Sequence, residues 1–97
     1  MALDYEPSIK EKRNLIDELD TCIIHLIKRR MDTSREIGEI KLKHNKPVLD
    51  KAREERHKAD IRAIAEKCGL DKAFISEIFD LIISKSVAEQ ENSTRNI

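Results

Sequence analysis

A few side chains in this sequence have the types and the spacing to hold an anion. Arg30 and Lys41 lie eleven residues apart in one uninterrupted helical segment. Eleven residues make about three turns, so the two point the same way, roughly 16 Å apart along the axis. Ser86 and Gln90, four residues apart, continue what is otherwise an apolar stripe. Asp50, Arg53 and Glu54 open a further helix, whose N-terminus itself attracts negative charge. Three cations and a helix N-terminus imply a small ligand with several negative charges. Arginine suits carboxylates, because its planar fork donates two parallel hydrogen bonds.

No nucleophile stands beside a base, and there is no glycine-rich phosphate loop. His25, His44 and His57 share no metal-ligand spacing, so neither a metal nor a cofactor is expected. Chemistry at such a site would come from positioning and electrostatics. Each residue also has a plainer role open to it. Arg30 can form a structural ion pair with an acidic residue of a partner helix, and Lys41 can be a solvated lysine near a helix end. Asp50 is first a helix cap. Arg53 and Glu54 can be first-turn charges, Ser86 a small packing residue and Gln90 a surface amide.

The elements that must position these groups follow from the periodicity. From about Ser8 to His44 apolar or small residues recur at Ile16, Leu19, Ile23, Leu26, Thr33, Ile37 and Ile40, stepping by three and four. That is a helix with a buried stripe, close to a coiled-coil seam, interrupted by the guanidinium of Arg30. Ser8 with Glu11 reads as a capping box after a loose lead-in over Met1 to Pro7. The run Asn45-Lys46-Pro47 ends the helix, because the residue before a proline is pushed out of the α region. Such a helix is on the order of 55 Å long, whereas a compact globule of this size has a radius of gyration of about 12–13 Å. One copy therefore leaves the stripe bare. A second copy would cover it, so an intertwined twofold dimer is expected.

Asp50 caps a second helix, about Lys51 to Cys68, with a thin apolar face of Ala52, Ala59 and Ala63 beside Ile61 and Ile64. Gly69 sits where a left-handed residue closes a helix. Asp71 caps a third helix, about Lys72 to Asn92, carrying Phe74, Ile75, Ile78, Phe79, Ile82 and Ile83. Continuing that stripe by four leads to Ser86 and Gln90, and a frayed tail is expected from Ser93 to Ile97.

The bulk numbers agree with an all-α chain of three helices, one very long, in a single domain over residues 1–97. Charged residues make up 39 % and aromatics 3 %. Lysine plus arginine equals aspartate plus glutamate, 19 each, so no global field favours nucleic acid or a membrane. No apolar run reaches membrane-spanning length and no signal peptide is expected at the N-terminus. Cys22 and Cys68 suit neither a disulfide framework nor a zinc site; Cys22, beside the stripe, is expected in a core. A cytoplasmic protein is expected.

Taken jointly, the spacing of several motifs resembles the all-helical chorismate mutases, the AroQ class. The motifs are R-x-x-I-D-x-L-D from Arg13 to Asp20, then Arg30, then G-x-x-K from Gly38 to Lys41. P-V-x-D-x-x-R-E from Pro47 to Glu54, G-L-D from Gly69 to Asp71 and F-x-x-I-I-x-x-S-x-x-x-Q from Phe79 to Gln90 complete the set. The resemblance covers about Ile9 to Gln90. It implies an intertwined homodimer of three-helix subunits that converts chorismate to prephenate, towards phenylalanine and tyrosine, without cofactor or covalent intermediate. It also implies that Arg30 and Arg13 clamp the two substrate carboxylates, supported by Arg53 and Ser86. Lys41 and Gln90 would donate to the ether oxygen, Glu54 would accept from the ring hydroxyl, and the backbone at Asp50 would touch it too. The polar residues Thr33, Ser34 and Arg35 depart from the family's usual mid-helix composition.

Helical geometry bears on one of these roles. Arg13 and Arg30 are seventeen residues apart, about 25 Å on one helix. They cannot grip one small molecule from the same straight helix, so Arg13 is expected to act in trans across the dimer. Two alternatives remain: isochorismate pyruvate lyase, which shares the fold and a similar carboxylate clamp, and a non-catalytic helical dimer that binds a metabolite or a protein. The complete P-V-x-D-x-x-R-E segment with Ser86 and Gln90 favours the mutase.

Overall fold

The computed structural model describes residues 5–95, which form three α-helices and, among the described residues, no strand. They are α1 (Tyr5–Lys43), α2 (Lys51–Lys67) and α3 (Lys72–Arg95). The all-helical, three-element expectation holds, with shifted boundaries. α1 starts at Tyr5, so Ser8 lies inside the helix and is not its cap. Pro7 falls in the first turn, where its missing N–H would have had no intrahelical acceptor. Of the expected lead-in, Met1–Asp4 lie outside the described residues. Of the expected tail, residues 93–95 are helical backbone and residues 96–97 lie outside the description.

The helix ends are closed by identifiable devices. At the end of α1, Asn45 is left-handed (φ 55°), Lys46 N–H donates to Lys41 C=O at 2.8 Å and Asn45 N–H to Leu42 C=O at 3.2 Å. This is a Schellman motif with asparagine in the usual glycine place. The stop is therefore made at Asn45, ahead of the proline that the sequence pattern credits. α2 ends in the same way. Gly69 has φ 72°, Leu70 N–H donates to Ala65 C=O at 2.9 Å and Gly69 N–H to Glu66 C=O at 3.1 Å. Both predicted aspartate caps are present. Asp50 accepts from Arg53 N–H at 3.1 Å, and Asp71 accepts from Ala73 N–H at 2.9 Å.

The chain falls into two compact units, divided between Arg30 and Met31. In the first, helical from Tyr5, the apolar stripe is uncovered: Ile16, Leu19, Ile23 and Leu26 are each 52–59 % exposed. A single copy leaves the stripe bare, as its length requires. Cys22, expected in a core, is exposed here because the stripe beside it is uncovered.

The second unit holds the small core: Met31, Ile61, Ala65 and Ile83, with the buried hydroxyls of Ser34 and Ser86. Of the expected thin face of α2 only Ile61 is buried, joined one turn on by Ala65, whereas Ala52, Ala59, Ala63 and Ile64 are exposed. The same inner face of α2 carries Glu54 and His57, at helical spacing two turns and one turn before Ile61. The stripe of α3 packs as expected along Ile75, Ile78, Phe79, Ile82 and Ile83, whereas Phe74 stays exposed.

Candidate active site

The last turns of α1 and of α3 meet along a seam of mostly small residues. Met31, Ser34 and Gly38 are the buried residues of α1. Opposite them, Ser86 Oγ donates to Ile82 C=O at 2.9 Å and lies 3.8 Å from Met31 Sδ. Farther along, Arg35 Nη1 lies 3.1 Å from Glu89 Oε2. A Cβ built on Gly38 would stand 2.8 Å from both Cα and O of Gln90. These pairs advance in the same order along both helices, ending where Lys41 Nζ donates to Gln90 Oε1 at 2.9 Å.

Lys41 makes a second hydrogen bond, to the carbonyl of Val48 in the link between α1 and α2. One ammonium therefore ties α1 to α3 and to the segment leading into Asp50. An ammonium has three protons and no acceptor. The two bonds thus leave one N–H of Lys41, and force Gln90 to present its oxygen to Lys41. Both N–H donors of the Gln90 amide then stay available for another acceptor. Two donor groups, one of them cationic, held against each other are suited to an oxygen on which negative charge develops.

The start of α2 supplies the remaining residues. Asp50 has extended backbone (φ −119°, ψ 97°), and its side chain is taken up by the cap on Arg53 N–H. Arg53 itself is exposed. Glu54 is half-buried, and its Oε2 is buried without a hydrogen-bond partner among the described residues. A buried acceptor left unsatisfied costs about 1–3 kcal/mol, more if charged. Beside it a cleft of about 280 Å³ is lined by Leu49, Lys51, Glu54, Glu55, Lys58, Ile83 and Val87.

Lys41 and Gln90 are thus in direct contact, with Ser86 one turn before Gln90 and Asp50, Arg53 and Glu54 together at the α2 N-terminus. Ser86 is buried with its proton used inside α3, which matches the packing role open to it from sequence. Arg13 is exposed on the first part of α1, and Arg30 is half-buried at the end of the first unit.

Several contributors were not picked out from sequence. The Arg35–Glu89 pair raises the Arg35 pKa, chiefly through the hydrogen bond to Glu89. It holds the Glu89 carboxyl below its usual range, with Lys85 adding to the effect at 3.4 Å. Arg35 also pairs with Asp32 within α1. The polar stretch Thr33–Arg35 thereby gains a structural reason: Ser34 is small enough for the seam, and Arg35 clasps α3. Gly38, the only glycine in α1, was itself the available signal for a close approach.

The chain belongs to the chorismate mutase type II family, whose pattern matches residues 12–91. Among its relatives, a chorismate mutase of Methanocaldococcus jannaschii is 30 % identical over 83 residues, covering 86 % of this chain and 84 % of that one. A bifunctional chorismate mutase/prephenate dehydratase of Buchnera aphidicola subsp. Baizongia pistaciae is 35 % identical over 79 residues, 81 % of this chain and 21 % of that protein. A 4-amino-4-deoxychorismate mutase of Streptomyces venezuelae is 27 % identical over 77 residues, 79 % of this chain and 75 % of that one. The chain spans about a fifth of the length of the bifunctional relatives it matches. No described helix is long and apolar enough to cross a membrane.

Proposed function

We propose that this chain is a chorismate mutase, rearranging chorismate to prephenate in phenylalanine and tyrosine biosynthesis. The observation that carries the reading is the Lys41–Gln90 contact at 2.9 Å, which leaves donors of both groups unspent among the described residues. The reaction is intramolecular. The ether C–O bond breaks as a C–C bond forms between the two ends of the same molecule, and no group enters or leaves. A protein accelerates it by holding the enolpyruvyl arm over the ring and by stabilising charge on the ether oxygen.

In this reading Lys41 and Gln90 donate to the ether oxygen, whose negative charge grows as the bond stretches. Arg30 and Arg13 hold the carboxylates, with Arg53 and Ser86 in support. Glu54, whose buried Oε2 has no hydrogen-bond partner among the described residues, accepts from the ring hydroxyl, and the Asp50 backbone adjoins it. The uncovered stripe at Ile16, Leu19, Ile23 and Leu26 supports a homodimer in which Arg13 serves the partner's site. The whole forms one mutase domain, acting in the cytoplasm.

The direct test is chorismate disappearance at neutral pH with no added metal, beside isochorismate and 4-amino-4-deoxychorismate. Prephenate from chorismate at the highest kcat/KM is the expected result. Preference for the amino substrate, or pyruvate release from isochorismate, would reassign the chain within its fold, and no turnover by a folded protein would make it a binding module. A second experiment addresses the dimer. Arg13→Ala and Arg30→Ala, each inactive, should regain activity on subunit exchange, since some hybrid dimers then hold one intact site. Exchange without recovery excludes the shared site.

A further inference from the structure

We infer that Gly38 is a positioning residue for Gln90, and that the Arg35–Glu89 ion pair holds the same register from one turn away. The inference rests on the mutase reading for its kinetic consequence, and on the seam alone for its structural one. The added Cβ at Gly38 would meet Gln90 Cα and O, both at 2.8 Å. Those are main-chain atoms, so no side-chain rotation relieves the overlap; α3 itself has to move away from α1 at Gln90. The Lys41–Gln90 bond, at 2.9 Å, spans the same gap one turn later. On the preceding turn, Arg35 reaches Glu89, the immediate neighbour of Gln90, at 3.1 Å. Glu89 is only 15 % exposed, so the pair closes the flank of the seam. Steric contact at Gly38 and attraction at Arg35 thus fix the height of the Gln90 amide over the Lys41 ammonium.

Two variants test this. Gly38→Ala separates the helices; Arg35→Met removes the clasp from a side chain that is 40 % exposed, and so keeps the fold if Gly38→Ala does not. The first readout does not depend on activity. The side-chain amide NMR resonances of Gln90, assigned by their loss in Gln90→Ala, should move in both variants; unchanged resonances in a folded variant overturn the inference. The second is a double-mutant cycle on chorismate turnover. Gly38→Ala should lower kcat about 10- to 100-fold, the scale of an ångström-sized misplacement, and Arg35→Met less, about three- to tenfold. In a Gln90→Ala background each should cost less than about threefold, because the group being positioned is gone. Losses that multiply in full would mean a general structural role and refute positioning. Absence of turnover in the unaltered protein would refute the mutase reading instead, and the resonances would still decide the positioning.

Discussion

The Lys41 ammonium donates to the Gln90 amide oxygen across 2.9 Å, between the last turns of two helices that Gly38 brings into backbone contact. Each group fixes the orientation of the other. Lysine cannot accept, so the amide must turn its oxygen inward and its N–H groups outward. In the proposed mechanism the donors are therefore set before substrate arrives, as electrostatic stabilisation of a transition state requires.

This dependence on an amide predicts a pH signature for Gln90→Glu. An ionised carboxylate at position 90 donates nothing, and the Lys41 ammonium beside it favours ionisation. At neutral pH kcat/KM should fall about 100-fold, the cost of losing one such donor. Activity should return on the acid side as the carboxyl takes up a proton and donates again, while the unaltered protein shows no such acid limb. Profiles of kcat/KM against pH for the two proteins check this, and parallel profiles would remove Gln90 from the ether oxygen.

The ion pair at the seam predicts a second pH effect, on stability. The hydrogen bond from Arg35 lowers the Glu89 pKa in the folded chain below its unfolded value. A carboxyl lowered on folding contributes stability above its unfolded pKa, about 4.3 for glutamate. That contribution is lost as the pH falls through the folded pKa. Glu89→Gln should therefore lower the melting temperature at pH 7, and the gap to the parent should close as the pH falls below about 4. Thermal unfolding of both proteins from pH 7 down to 3 measures the gap; a constant difference would show that the charge is not what matters.

Asp50 separates cap from chemistry. Its side chain is occupied by Arg53 N–H, and the role proposed for it in binding uses only its backbone. Asp50→Ala should cost about 0.5–2 kcal/mol, or roughly 5 °C in Tm for each kcal/mol in a domain of this size. Asp50→Ser should restore most of it. In both, kcat measured well below Tm should stay within a few-fold. A loss of kcat in Asp50→Ser with Tm intact would place the carboxylate itself on the substrate.

Much of this was legible in the sequence, for reasons that differ from residue to residue. Asp50, Asp71 and Gly69 announce helix ends through local chemistry, and local chemistry needs no tertiary knowledge. Ser86 and Gln90 stand out because they continue the stripe through Ile82. The start of α1 lies earlier than the sequence pattern suggests, because Ser8 and Glu11 satisfy a capping pattern that the helix simply runs through. On α2 the expected face holds only at Ile61; Ala65, one turn on, completes the inner face, while Ile64 and the three alanines face outward. The α1–α3 seam was harder still. Thr33, Ser34 and Arg35 read as a polar interruption and Gly38 as a motif glycine, because the value of the seam residues lies in size and pairing: a hydroxyl small enough to bury, a guanidinium that reaches Glu89, and the absence of a Cβ. Nor could spacing reveal that Lys41 reaches the carbonyl of Val48, since that contact depends on how the Asn45 turn folds the link back.

That turn ties the fate of the site to a helix end. Lys41 is held twice over: its side chain binds Gln90 and Val48, and its carbonyl accepts Lys46 N–H in the motif that closes α1. Helix ends open more readily than helix centres. Opening of this end would part the ammonium from the amide, so in the proposed mechanism the melting of a single turn would disarm the site. The exchange rate of the Lys46 amide proton is thus a natural clock for how often the site is armed, and a bound dianion that engages Lys41 would slow it.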